Sequence, residues 1–244
     1  MTSSSRDVLI ARGIDANKIV VVTNGIDTEK LTPGPAPAEL RRRLGFENKI
    51  VVSYIGTVGM AHGLQLILDA AHECRTRVPE VQFVIVGSGA ELNDLQRQAR
   101  RRDLANVTFI GRVSHPDVVD YWRLSDITLV LLKDTPLFRT VIPSKVFEAM
   151  ATGTPIITNV RGELQSVLEP VGAAEMIEPD SLVALVDAIE MLAKDPARRQ
   201  LLSAAAIEAA KRYDRKALAD KLLEALQAFP QCEPARPADS WRSS

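Results

Sequence analysis

Short β-branched and apolar runs bounded by Gly or Asn alternate along this chain with longer stretches whose apolar residues recur at helical spacing. The runs fall at residues 18–23, 50–55, 81–86, 107–110, 127–132 and 155–159, with a weaker one near 174–177. Most are almost continuously apolar, which predicts strands covered on both faces, as in a parallel sheet. The intervening periodicity predicts helices over 37–44, 63–78, 90–102, 116–124, 144–152 and 163–168. After Asp180 the pattern is purely helical to Phe229, with breaks at Asp195-Pro196 and Tyr213-Asp214.

Strands alternating with helices, joined by right-handed crossovers, give a Rossmann-like, doubly wound parallel sheet with C-terminal helices. One domain over residues 1–229 is expected. Residues 230–244, polar and carrying three prolines, are expected to form a disordered tail.

Composition narrows the function classes. With 244 residues, 46% of them hydrophobic and 25% charged, the chain can bury a full core. A formal net charge of −1 creates no general attraction to nucleic acid, so any anion must be held by a local site. Cys74 and Cys232 lack metal-ligand spacing, which fits a reducing, cytoplasmic compartment and no metal site. Residues 1–7 are polar, without a leader's apolar core, and no apolar run approaches the ~20 residues needed to cross a bilayer.

In an open parallel sheet, ligands sit beyond the carboxyl ends of the strands. Four such loops stand out. The first, from Gly56 through Thr57, Gly59 and His62 to Gly63, lets a backbone approach a phosphate closely, although a plain flexible turn reads the same way. The second, Val86-Gly87-Ser88-Gly89, starts like a dinucleotide fingerprint but has Leu92 where the third glycine belongs, so a tight turn leading to a helix capped by Ser88 is favoured. The third, Gly111-Arg112-Val113, offers backbone groups to a flat ring. The fourth, residues 133–142, leads into a helix opened by Pro143-Ser144. Its free amides and dipole make a diphosphate site, beside which Lys145 adds a cation. Glu148, one turn on, is placed to accept hydrogen bonds from the vicinal hydroxyls of a ribose. The blander reading makes both side chains solvated surface groups. The runs Arg41–Arg43 and Arg100–Arg102 close helices and are read as solvated faces.

In order and spacing, these segments resemble the GT4 family of GT-B glycosyltransferases over about residues 6–229. The landmarks are Val22-Thr23-Asn24-Gly25-Ile26-Asp27, the loop 56–63, Val86-Gly87-Ser88-Gly89, residues 106–113, and residues 144–155 with Glu148. The Pro-Ser-Lys entry to the helix at 144–152 looks like the subgroup resembling N-acetyl-fucosaminyl and colanic-acid transferases.

That resemblance implies the donor half of a GT-B fold in a retaining transferase that uses a nucleotide-diphosphate sugar, commonly UDP-linked, and no metal or other cofactor. Glu148 then holds the ribose, the backbone from Ile142 to Lys145 the diphosphate, and the backbone around Arg112 and Val113 the base. Lys145 and Glu148 carry the chemistry, with Gly56, Thr57, Gly59, His62, Gly87, Gly111, Arg139, Ile142, Pro143 and Ser144 lining the donor site.

The sequence also departs from the family. Many members place Arg and Lys where this chain has Thr57 and His62, and the first carboxylate of the family's paired glutamates falls on Thr140. Cations must come from Lys145 first, then Arg139 or Arg161. The family's N-terminal acceptor domain has no counterpart here. It is therefore expected as the remainder of a longer protein or as a separate partner, which would bring the chain to the inner face of the cell membrane; nucleic acid is not an expected partner. The alternatives are a non-catalytic nucleotide-sugar-binding subunit and a GT-B sugar-nucleotide epimerase. A nicotinamide-dependent oxidoreductase is disfavoured, because Asn24-Gly25-Ile26-Asp27 has no diphosphate-binding glycine series.

Overall fold

The computed structural model describes residues 2–228. Six parallel strands, β1 (Ile50–Ile55), β2 (Val81–Val86), β3 (Val107–Gly111), β4 (Ile127–Val130), β5 (Ile156–Thr158) and β6 (Ala174–Met176), form one sheet in the order 3-2-1-4-5-6.

The continuous apolar runs resolve into two alternating sets, because successive side chains of a strand face opposite ways. Val52 and Tyr54 of β1, Phe83 and Ile85 of β2, and Ile127 and Leu129 of β4 enter one core. Val51 and Ile55, Val84 and Val86, and Val130 enter the other. The first core is closed by α3 (Gln65–Arg77), α4 (Leu92–Arg101) and α8 (Leu182–Lys194). The second is closed by α2 (Ala38–Arg43), α5 (Val118–Leu124), α6 (Lys145–Thr152), α7 (Glu163–Leu168) and α9 (Pro196–Ala210). Winding reverses between β1 and β4, so a crevice opens beyond their carboxyl ends.

Local chemistry sets the helix boundaries where the sequence breaks its pattern. Asp195 caps α9 by accepting from the Arg198 amide, with Pro196 at the first helical position. Asp214 caps α10 (Arg215–Ala228) by accepting from the Lys216 and Ala217 amides. Gly153, at φ +70°, ends α6 where any Cβ would meet Ile207 and Ser203 of α9 at 2.8 Å.

Two expectations fail, and one helix goes unforeseen. Residues 18–23 form no strand of the sheet, all six of whose strands come later in the chain. An apolar run becomes a strand only by pairing with a neighbour, and its composition does not say whether the fold brings one alongside. Ser88 does not cap α4, which starts at Leu92 after an uncapped Glu91. A helix that the periodicity did not suggest, α1 (Ser3–Ala11), is held at its start by Thr2, which caps Ser5, and by the Ser4 amide donating to Glu163. The expected tail at 230–244 lies outside the described residues.

Candidate functional site: a cleft at the sheet's switch point

Above the carboxyl ends of β1, β2 and β3 lies a cleft of about 540 Å³. Gly56, Thr57 and His62 line it from the first loop, Gly87 from the second, Arg112 and Val113 from the third, and Pro143, Ser144, Lys145 and Glu148 from α6. Four loops remote in sequence therefore meet where the topology predicts.

The glycine-bearing wall is stitched backbone to backbone. The Gly56 amide donates to Val86 O (2.9 Å), Val58 N to Ser88 O (3.0 Å), and Gly87 N to Gly111 O (2.8 Å). Gly87, at φ +137°, brings its α-carbon so close to the first loop that a Cβ would stand 1.8 Å from the Gly56 carbonyl oxygen. Glycine is thus demanded at 87 by packing between the loops as well as by its place on the cleft. Gly56, at φ +144°, faces Lys145, whose ammonium would lie 3.2 Å from an added Cβ. A bulge between β2 and β3, pairing Val86 with Gly111, tilts the third loop so that Arg112 and Val113 reach the opening.

The start of α6 leaves several of its donors without partners. Val146 and Phe147 donate to Pro143 O and Ser144 O, while the amides of Ser144 and Lys145 find no acceptor among the described residues. Lys145 is 9% exposed, and its Nζ makes no hydrogen bond. The ammonium lies 3.9 Å from the centroid of the Tyr54 ring, an attraction that offsets part of its desolvation. Burial pulls its pKa from the usual lysine range down to about 7, while Glu148 works weakly in the opposite sense. His62 stacks at a tilt on the same Tyr54, 5.8 Å between centroids, and its buried Nδ1 is unpartnered. Burial first, and the Lys145 charge second, lower its pKa to about 4. At neutral pH His62 is an uncharged imidazole, so it cannot replace the cation that the resembled family carries there.

Glu148 points into the cleft and accepts from Trp122 Nε1 at 3.0 Å. The other candidate cations lie elsewhere. Arg139 forks onto Asp134 at 2.9 and 2.7 Å, and Arg161 pairs with Glu178 at 3.0 Å. Neither lines the cleft, and Gly59, Gly111 and Ile142 also fall outside its lining. Sequence reasoning missed Tyr54, Trp122, Ser114, His115 and Val118. The last three continue the third loop past the point where its glycine drew notice; Tyr54 and Trp122 looked like ordinary core aromatics. Among the described residues there is no cluster of His, Cys, Asp and Glu able to hold a metal, and no helix is long and apolar enough to cross a membrane.

A parallel sheet in this order, with a cleft at its switch point, is one Rossmann-like half of a GT-B fold. The profile of the glycosyl transferases group 1 family matches residues 38–213, and the chain belongs to that family. An alpha-D-kanosaminyltransferase of Streptomyces kanamyceticus is 28% identical over 76% of this chain and 47% of its own length. A protein assigned to colanic acid biosynthesis in Escherichia coli is 28% identical over 78% of this chain and 47% of its own. The crystal structure of Anabaena HepE in complex with UDP superposes with a TM-score of 0.82 at 22% identity, covering 93% of this chain and 62% of HepE. The chain spans about half the length of the curated relatives it matches.

Proposed function

We propose that this chain is the donor-binding part of a retaining glycosyltransferase, taking a nucleotide-diphosphate sugar, UDP-linked, for transfer to a polysaccharide or lipid-linked acceptor held by another domain or subunit. One observation carries this reading: two unpaired amides opening α6 and a buried, unpartnered Lys145 converge on a cleft that also presents the Glu148 carboxylate. A diphosphate answers both deficits, because it accepts from the amides and restores a counter-charge to the ammonium. The names of the matched relatives, which are glycosyltransferases, and the UDP bound by HepE support the choice of ligand.

In this mechanism the Ser144 and Lys145 amides and the protonated Lys145 side chain stabilise negative charge as it grows on the departing diphosphate. The dipoles are fixed before the reaction and need no reorganisation during it. Glu148 accepts hydrogen bonds from the ribose hydroxyls and sets the register of the nucleotide. Arg112 and Val113 border the base. Neutral His62 offers a hydrogen bond to the sugar end of the donor. No resident cofactor is part of this proposal, and the acceptor contacts belong to the part of the protein that the relatives possess beyond this length.

Calorimetric titration of the 244-residue chain with UDP tests the reading. Binding in the micromolar-to-millimolar range is expected, weakened about tenfold or more by Lys145→Ala and by Glu148→Ala. A chain that binds no nucleoside diphosphate sinks it.

A further inference from the structure

Trp122 lies on α5, outside the cleft and fully buried. An indole N–H donates but cannot accept, so once buried it requires a partner. Here the partner is Glu148 Oε2, at 3.0 Å. The contact has a second link between the two helices beside it. Thr154 Oγ1 donates to Trp122 O at 3.1 Å and can accept at 3.0 Å from Thr152 Oγ1, whose single proton otherwise goes to Glu148 O at 2.9 Å or Ala149 O at 3.2 Å. The tryptophan is therefore fixed at both its backbone and its ring, and it fixes the carboxylate in turn.

A glutamate side chain is long and freely rotating, and ordering it on ligand arrival opposes binding. Lys145 shares the cleft and attracts Glu148, yet among the described residues its Nζ makes no hydrogen bond to the carboxylate. The carboxylate is held by the indole instead. One of its lone-pair sites is occupied, and the others remain for a ligand in the cleft.

We infer that Trp122 is the positioning residue of the nucleotide site: its indole N–H aims the Glu148 carboxylate so that it reads the ribose hydroxyls of the donor. This rests on the ribose-binding reading of Glu148 proposed above, and it assigns discrimination between ribose and deoxyribose to a side chain that never touches the ligand.

The test compares the dissociation constants of UDP and 2′-deoxy-UDP for the full chain by calorimetry. The wild type is expected to prefer UDP by about tenfold, the scale of one hydrogen bond to a charged group. Glu148→Ala brings the ratio to about one. Trp122→Phe lowers it at least about threefold, because the misplaced carboxylate loses the 2′-hydroxyl contact that only UDP makes, whereas any loss at the 3′-hydroxyl is common to both ligands and cancels in the ratio. A purely structural role moves both constants together and leaves the ratio intact. If Trp122→Phe does not fold, benzothienylalanine at position 122 in a Trp241→Phe background keeps the ring's shape, removes the N–H, and gives the deciding ratio. A wild-type ratio retained in the Trp122 variants, with Glu148→Ala at one, overturns the inference and leaves the ribose reading standing. A ratio unchanged by Glu148→Ala overturns the ribose reading, and the inference with it.

Discussion

The two walls of the cleft are built on opposite principles. The wall formed by the loops after β1 and β2 satisfies itself: Gly56, Val58 and Gly87 all donate to neighbouring carbonyls, and glycine at 87 lets the strands' ends touch. The start of α6 is unsatisfied, with two amides and a buried ammonium that find no hydrogen-bond partner among the described residues. Buried polar groups are normally paired, and an unpaired one costs about 1–3 kcal/mol. The first wall thus supplies rigidity, and the second stores an incomplete set of interactions for a ligand to complete. Stability and binding should therefore respond in opposite ways to substitution on the two sides.

The largest effect is expected at Gly87. Gly87→Ala drives a Cβ into the Gly56 carbonyl and imposes φ +137° on alanine, so denaturant unfolding should show a loss of about 3 kcal/mol or more. Gly111→Ala, also at positive φ but with open space around it, is expected to cost only about 1 kcal/mol. Equal losses at both sites would mean that positive φ alone, and not packing between the loops, demands glycine at 87.

Next comes Lys145→Met, which keeps the volume and removes the charge. UDP affinity is expected to fall about 10- to 100-fold. At pH 6 the thermal midpoint should rise, because an ammonium held without a partner no longer has to be desolvated. A variant that loses stability and binding together would place Lys145 among the structural residues.

A smaller, graded effect concerns pH. Lys145 titrates near 7 when folded and in the ordinary lysine range when unfolded, so from about pH 7 upward the unfolded chain holds more protons. Its burial penalty is fully present below pH 7 and is relieved as pH rises toward 10, so this residue's contribution makes the fold more stable with rising pH. Binding runs the other way, since the diphosphate favours the protonated lysine. UDP affinity should fall several-fold between pH 7 and 8.5, with proton uptake visible as a dependence of the calorimetric enthalpy on buffer. Lys145→Arg should flatten that slope.

The smallest effect is expected at Arg139. Its guanidinium is committed to Asp134 away from the cleft, and Arg139→Ala should change the UDP dissociation constant less than about twofold. A tenfold loss would mean that the 133–142 loop folds over the ligand and that Arg139 exchanges partners.

How far the sequence could be read follows from the range of the forces involved. Strand runs at 50–55 and 81–86 were legible because burial on both faces demands uninterrupted apolar residues, and Asp195 and Asp214 marked helix starts because their caps act within three residues. The run at 18–23 misled for the same reason: its composition is that of a strand, but it does not join the sheet, and composition does not encode pairing. Gly87 drew notice as a glycine on a loop, but the Gly56 carbonyl that requires it lies on a different loop. Tyr54 and Trp122 were indistinguishable from core aromatics, because nothing local says that one ring lies beside an ammonium and the other holds a carboxylate.

Sequence alone, then, determined the alternation of strands and helices and the residues opening α6, Lys145 among them, since each depends on periodicity or on contacts within a turn. Tertiary structure alone decided the state of each cation: Lys145 is buried and unpaired, Arg139 and Arg161 find carboxylates, and Arg112 joins the lining from the third loop. Those outcomes follow from charges and desolvation in three dimensions, which no spacing along the chain encodes.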